Sequence, residues 1–217
     1  RIARLDLPPV VKASAAGLVR PAADGGGSIK VTVADKTLTV PVAVSGQKGR
    51  YEVSFVRDVA PALSKLGCNA GTCHGSLEGK NGFKLSLRGY DPLYDHRALT
   101  DDLEGRRFNR AAPDRSLMLM KPGGAVPHAG GVVWSPGDPY YELVKTWISE
   151  GVKLDLNSPR VASLEVLPKD PAIPTIGSKQ QFAVHATYTD GAVRDVTAES
   201  FIDSSNTEVA TVDKAGL

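Results

Sequence analysis

Val59-Ala-Pro-Ala-Leu-Ser-Lys-Leu-Gly-Cys-Asn-Ala-Gly-Thr-Cys-His-Gly75 carries the sharpest signal in the chain. Asp58 can cap a helix, and Pro61 is tolerated because it falls in the first turn. Val59, Leu63 and Leu66 then give a short apolar face that runs into Gly67-Cys68. Two thiols, Cys68 and Cys73, followed at once by His74 follow the logic of c-type haem attachment. There the thiols add to two vinyl groups and the adjacent imidazole comes to lie under the iron. The usual spacer is two residues and here it is four, so Asn69, Ala70 and Gly71, all small, must bulge outward. A local disulfide would need no following His, and zinc would need two further ligands at the usual spacing, which the sequence lacks.

Composition frames that motif. The chain has 217 residues, 41% hydrophobic and 23% charged, an ordinary globular balance. Lys+Arg 26 against Asp+Glu 24 gives +2, too weak an excess for a general nucleic-acid or membrane-surface binder. No apolar run is long enough to span a bilayer. Two cysteines exclude a disulfide-rich scaffold and a four-Cys zinc site. The chain begins at Arg1 and stops at Leu217 in an unfinished pattern, which reads as a piece of something longer.

Outward from the motif the flanks read as β. Ser28-Ile-Lys-Val-Thr-Val and Thr37-Leu-Thr-Val-Pro-Val-Ala-Val alternate like half-buried strands about a turn at Ala34-Asp35, after a loop at Asp24-Gly-Gly-Gly27. On the other side, Gly82-Phe-Lys-Leu-Ser-Leu-Arg alternates like a strand. A second helix is predicted from Pro139 to Glu150, with Tyr141, Val144, Trp147 and Ile148 on one face and Gly151 as its stop. From about residue 160 the β pattern returns in Ser163-Leu-Glu-Val-Leu-Pro, Gln181-Phe-Ala-Val-His-Ala-Thr-Tyr and Val193-Arg-Asp-Val-Thr, with a hairpin turn at Asp190-Gly191. Val10–Leu18 and Val209–Leu217 share a faint Val, Ala, Gly and Leu register.

A second axial ligand would come from Met118, Met120, His96, His128 or His185. His185 alternates within a strand, and His96 lies in the polar run Tyr94-Asp-His-Arg, which reads as solvated. Met118 and Met120 sit in Leu117-Met-Leu-Met, where one could face iron but a core role is the commoner one. His128 lies in the turn-rich Val126-Pro-His-Ala-Gly-Gly131, where Pro127 stiffens the approach and the glycines admit a flat ligand. The residues alone leave His128 and the Met pair level.

The segment Val59–Gly75, together with Gly82–Asp91, Gly105-Arg-Arg107, Lys121-Pro122, Val126-Pro-His128 and Tyr141–Gly151, resembles the cytochrome c-like domains of large planctomycete proteins. The four-residue spacer is similar to the one that group uses. Gln181–Gly191 with Arg194-Asp-Val-Thr197 resembles the bacterial immunoglobulin-like domains that commonly stand beside them. The resemblance implies Cys68 and Cys73 as attachment cysteines and His74 as proximal ligand. It also implies His128 as distal ligand, since Pro127-His128 matches the group's Pro-His pair and Leu often fills the two Met positions. Ala129 before Gly130-Gly131 is a departure from the group, which follows the His with glycines.

The expected architecture is therefore multidomain. A mainly α cytochrome c-like haem domain with a small β insertion (51–157) stands between all-β, partial Ig-like sandwich segments (1–50 and 158–217). The two terminal segments are expected to complete one sandwich together, within a chain or between neighbours, because unfinished sheets expose associating edges. The expected function is a monohaem c-type module for electron transfer outside the cytoplasm, periplasmic in bacteria, with one covalent haem c and an unidentified redox partner protein. Neither a nucleic-acid partner nor a membrane span is expected. Arg106 and Arg107 are expected to meet haem propionates. Two other readings stand beside it. One is a haem enzyme or sensor with an open distal site lined by Asp95, Arg106, Arg107 and Tyr90; the other is a haem-free adhesion fragment of Ig-like modules.

Overall fold

The computed structural model describes residues 3–14 and 17–217. The chain divides into two compact units, Arg1–Tyr51 and Glu52–Leu217. The first holds β1 (Arg4–Asp6), β2 (Val11–Ala13), β3 (Val19–Pro21), β4 (Gly25–Val33) and β5 (Lys36–Val44). β4 and β5 form an antiparallel hairpin closed at Ala34-Asp35, with Val33 opposite Lys36, and β1 adds to the outer edge of β4. β2 and β3 pair separately. A small core of Val10, Val11 and Ile29 serves this unit. The expected loop at Asp24–Gly27 is in fact the start of β4. Its glycines mark a close backbone approach instead, because a Cβ on Gly27 would lie 2.5 Å from Pro8 Cβ.

The second unit opens with Ser54, whose hydroxyl accepts the Arg57 N–H while the Asp58 carboxylate accepts the Ser54 N–H. The helix thus begins four residues before the expected cap, and Asp58 works inside its first turn as the reciprocal acceptor. A π-type turn over Phe55–Val59 continues into α1 (Ala60–Lys65). α2 (Pro92–Thr100), α3 (Leu117–Met120) and α4 (Pro139–Ser149) follow. α4 buries Tyr141, Val144, Trp147 and Ile148, as its spacing predicts. Trp147 stacks on Phe55 at 5.2 Å and meets Phe108 edge-on, and these rings centre the apolar core that joins α1, α2, α3 and α4.

The C-terminal sheet comprises β6 (Val161–Leu167), β7 (Ala183–Tyr188) and β8 (Val193–Asp195), with the β7–β8 turn at Asp190-Gly191 as expected. It belongs to the second unit and is bound to the helical part. Arg194 Nη1 donates to Asp58 Oδ1 at 2.9 Å, Tyr140 OH donates to the Ala198 carbonyl, and Lys65 Nζ donates to the carbonyls of Ser200 and Lys214.

The expected fold class is corrected by this architecture. Helix and strand each account for 21% of the chain, and the strands make three small antiparallel sheets. The central region is therefore not a mainly α domain, and Ig sandwiches do not flank it. Alternation located β4 to β8, but a sandwich needs a second apolar layer to cover the first. β5 and β6 instead expose nearly every side chain. Among the described residues no sheet mixes strands of the two terminal segments. The Val10–Leu18 half of the faint repeat includes Ala15 and Ala16, which lie outside the described residues. The expected β insertion at Gly82–Arg88 is a loop with a single bridge between Lys80 and Phe83. Its N–H groups are taken by the motif itself, Leu85 N donating to His74 O and Arg88 N to Asn69 O. Among the described residues no helix is long and apolar enough to cross a membrane.

Candidate functional site

The Cys68–Gly75 loop is built directly on the end of α1. Gly67 adopts φ +80°, its N–H donates to Ser64 O, and the Cys68 N–H donates to Leu63 O. This pair of bonds is a Schellman cap, and it delivers the first cysteine at a fixed place beyond the helix. His74 N then donates back to Cys68 O, and both Cys73 N and Gly75 N donate to Ala70 O. A Cβ on Gly75 would lie 2.0 Å from the Asn69 carbonyl oxygen, so only glycine closes the loop.

The four-residue spacer does not bulge outward as a whole. Asn69 turns inward and is 2% exposed, with Nδ2 donating to Ser64 Oγ and Oδ1 left buried without a partner. Only Gly71 and Thr72 form the exposed tip. Both cysteines are free thiols and partly buried. Burial, and then the neighbouring Cys73, push the Cys68 thiol up to about 12.

Two imidazoles come together at this loop. The rings of His74 and His128 have centroids 6.4 Å apart and planes 15° from parallel. His74 Nδ1 lies 3.0 Å from the Phe83 carbonyl and His128 Nδ1 lies 2.9 Å from the Gly131 carbonyl. A carbonyl oxygen only accepts, so in each ring Nδ1 carries a hydrogen, and in a neutral ring Nε2 then holds the lone pair. Burial pushes His74 below the usual imidazole range against the Phe83 hydrogen bond, and the charges of His128, Arg107 and Lys121 depress it further. The neutral, ligating form is thereby favoured.

Both rings are held by what surrounds them. Phe83 packs on His74 at 4.5 Å, and the buried Arg107 guanidinium lies 4.1 Å over the Phe83 ring while donating to Asp102 O. His128 closes a turn in which Gly131 N donates back to His128 O. A Cβ on Gly130 would lie 2.7 Å from His128 Cε1, so that glycine lets the ring fold over its own loop. The donor set of two thiols and two imidazoles is of the chemical kind that holds a covalently attached, doubly ligated haem.

Other candidates fall elsewhere. Met118 belongs to the apolar core, and Met120 is half-buried with its carbonyl closing the Ala125 turn. His96 is not solvated. Its Nε2 bonds to Val152 O at 2.8 Å and its ring sits edge-on to Phe55 and Trp147, so it ties α2 to the end of α4. His185 lies in β7 opposite Glu165 and Asp195. Arg106 is exposed and lines a separate cleft with Thr100 and Phe108, leaving Arg107 alone beside His74. Asp95 is buried with Ser86 N and Ser86 Oγ donating to its carboxylate, and Tyr90 is 91% exposed. Phe83 is the site residue that the sequence reading missed, and the strand-like alternation around it concealed its role as a ring and a carbonyl for His74. Among the described residues no cluster of three or more His, Cys, Asp or Glu is placed to hold a bare metal ion. No family model matches the chain, and no curated protein or solved structure matches it either.

Proposed function

We propose that the second unit is a monohaem c-type electron-transfer module acting outside the cytoplasm. Cys68 and Cys73 would hold the haem as thioethers, and His74 and His128 would ligate its iron. When bound, the haem supplies a one-electron couple, at a comparatively low potential for two imidazole ligands. The chain's own part is to fix the ligands. Phe83 O and Gly131 O set the tautomers, and the Gly75 and Gly130 approaches set the ring positions. Arg107 contributes a buried positive charge beside His74, suited to a propionate. The single observation that carries the reading is the close approach of His74 and His128, with ring centroids 6.4 Å apart and Nδ1 of each ring at a backbone carbonyl. An extracytoplasmic setting is part of the proposal, because haem c is attached there.

The test is the intact mass of the chain after expression with haem-maturation machinery and full denaturation. A mass increased by one haem, lost in the Cys68→Ala, Cys73→Ala double variant, supports the reading. An unmodified mass overturns it.

A further inference from the structure

A second feature of the same unit lies apart from the imidazole pair. Residues Thr100, Asp101, Arg106, Phe108, Arg110 and Arg115 line an open cleft of about 800 Å³. Three arginines against one aspartate leave its wall with an excess of two positive charges. Among the described residues none of the three guanidiniums has an ion-pair or hydrogen-bond partner.

Two nearby carboxylates are committed to other groups. Asp114, next to Arg115, takes Lys145 Nζ at 2.8 Å and the Tyr141 hydroxyl at 2.9 Å. Asp101 accepts Thr100 Oγ1 at 2.9 Å and faces Arg97 at 3.9 Å. Neither compensates the arginines. The backbone that carries them is pinned as well. The hydroxyl of Ser116, 1% exposed, accepts the Asn109 N–H, and Asn109 Oδ1 accepts the Ala112 N–H. Arg115 N donates to Ala112 O, and Phe108 N donates to Gly105 O. Phe108 is held in turn by its edge contact with Trp147. Successive arginines therefore part company: Arg107 stacks on Phe83 toward His74, and Arg106 faces the cleft.

We propose that this cleft binds a small polyanion, a molecule with two or more carboxylate or phosphate groups, through Arg106, Arg110 and Arg115. The planar guanidinium fork matches both oxyanions two bonds at a time. Three like charges held on one pinned loop repel each other until an anion arrives, which makes a multiply charged ligand more favourable than a single acetate or chloride. The volume lies in the range of small-molecule sites, and Phe108 supplies an apolar wall. The site does not depend on the haem reading.

Titration calorimetry of the full chain at low ionic strength tests it, with citrate and pyrophosphate as probes and acetate as the monovalent control. Saturable one-to-one binding of citrate or pyrophosphate is expected, and the preferred probe separates carboxylate from phosphate recognition. Arg110→Gln and Arg115→Gln should each weaken it about tenfold, in line with the loss of a charge-assisted bidentate pair. Lys36→Ala, in the other unit, should leave it unchanged. Far-UV circular dichroism checks that the exposed-site variants keep the fold. Failure of both probes to bind, acetate binding as tightly as either, or full binding by the Arg110→Gln, Arg115→Gln double variant would overturn the proposal.

Discussion

The imidazoles of His74 and His128, 54 residues apart in sequence, lie with ring centroids 6.4 Å apart and planes 15° from parallel. Each is anchored through Nδ1 to a backbone carbonyl, Phe83 O for one and Gly131 O for the other. Anchoring of this kind fixes both tautomer and orientation of a ligating histidine.

Replacing His128 by Met should keep the haem attached, because both cysteines and His74 remain. The reduction potential is expected to rise by on the order of 0.1 V, within the roughly 0.8 V that axial ligands span. Potentiometric titration of both proteins measures this. An unchanged potential would mean that His128 is not the ligand.

Gly75→Ala is expected to be among the most damaging single-methyl changes in the chain. Its Cβ would meet the Asn69 carbonyl oxygen at 2.0 Å, and backbone atoms cannot rotate aside as a side chain does. A loss of about 3 kcal/mol in urea unfolding is expected. Gly71→Ala, whose nearest neighbour would be Leu87 Cδ1 at 3.8 Å, should cost little by the same measure.

Arg194→Ala removes the β8 partner of Asp58, a carboxylate that is 5% exposed as a residue. Arg57 still lies 3.6 Å from the same oxygen, and Arg194 is about one third exposed, so the cost falls well below that of an isolated buried pair. About 1–2 kcal/mol is expected. Thermal unfolding monitored separately in the helical and β parts should show the C-terminal sheet loosening first.

Asp95 gives a pH dependence with a defined sign. Burial raises its carboxyl above the usual value, against the Ser86 N–H and Ser86 Oγ hydrogen bonds that pull it down. A carboxyl raised in the folded state binds its proton more tightly there than in the unfolded chain. Its contribution is therefore fully present below the ordinary Asp value and is lost as pH rises through the raised one. Asp95→Asn keeps an acceptor for the Ser86 N–H and should flatten this part of the stability profile. Urea unfolding of both proteins from pH 3 to pH 7 measures the difference.

Local chemistry was legible in the sequence wherever neighbours along the chain decide it. The α4 face, the Ala34-Asp35 and Asp190-Gly191 turns, and the delivery of Cys68 by a helix all follow from spacing and turn residues. Tertiary competition was not legible. Leu85 and Arg88 alternate like strand residues, but their N–H groups are claimed by His74 O and Asn69 O. His96 looks polar in its run, yet the Val152 carbonyl and two aromatic rings give it a core position. Strands β4 to β8 were legible and the short β1, β2 and β3 were not, while the exposed faces of β5 and β6 are something alternation alone does not reveal.

The most direct test of the His74–His128 pairing is the oxidised and reduced visible spectrum of the chain, purified after expression with haem-maturation machinery. Paired imidazole ligation requires a low-spin, six-coordinate haem in both states, with no methionine–iron charge-transfer band. A high-spin spectrum, a methionine–iron band or a colourless protein would contradict it.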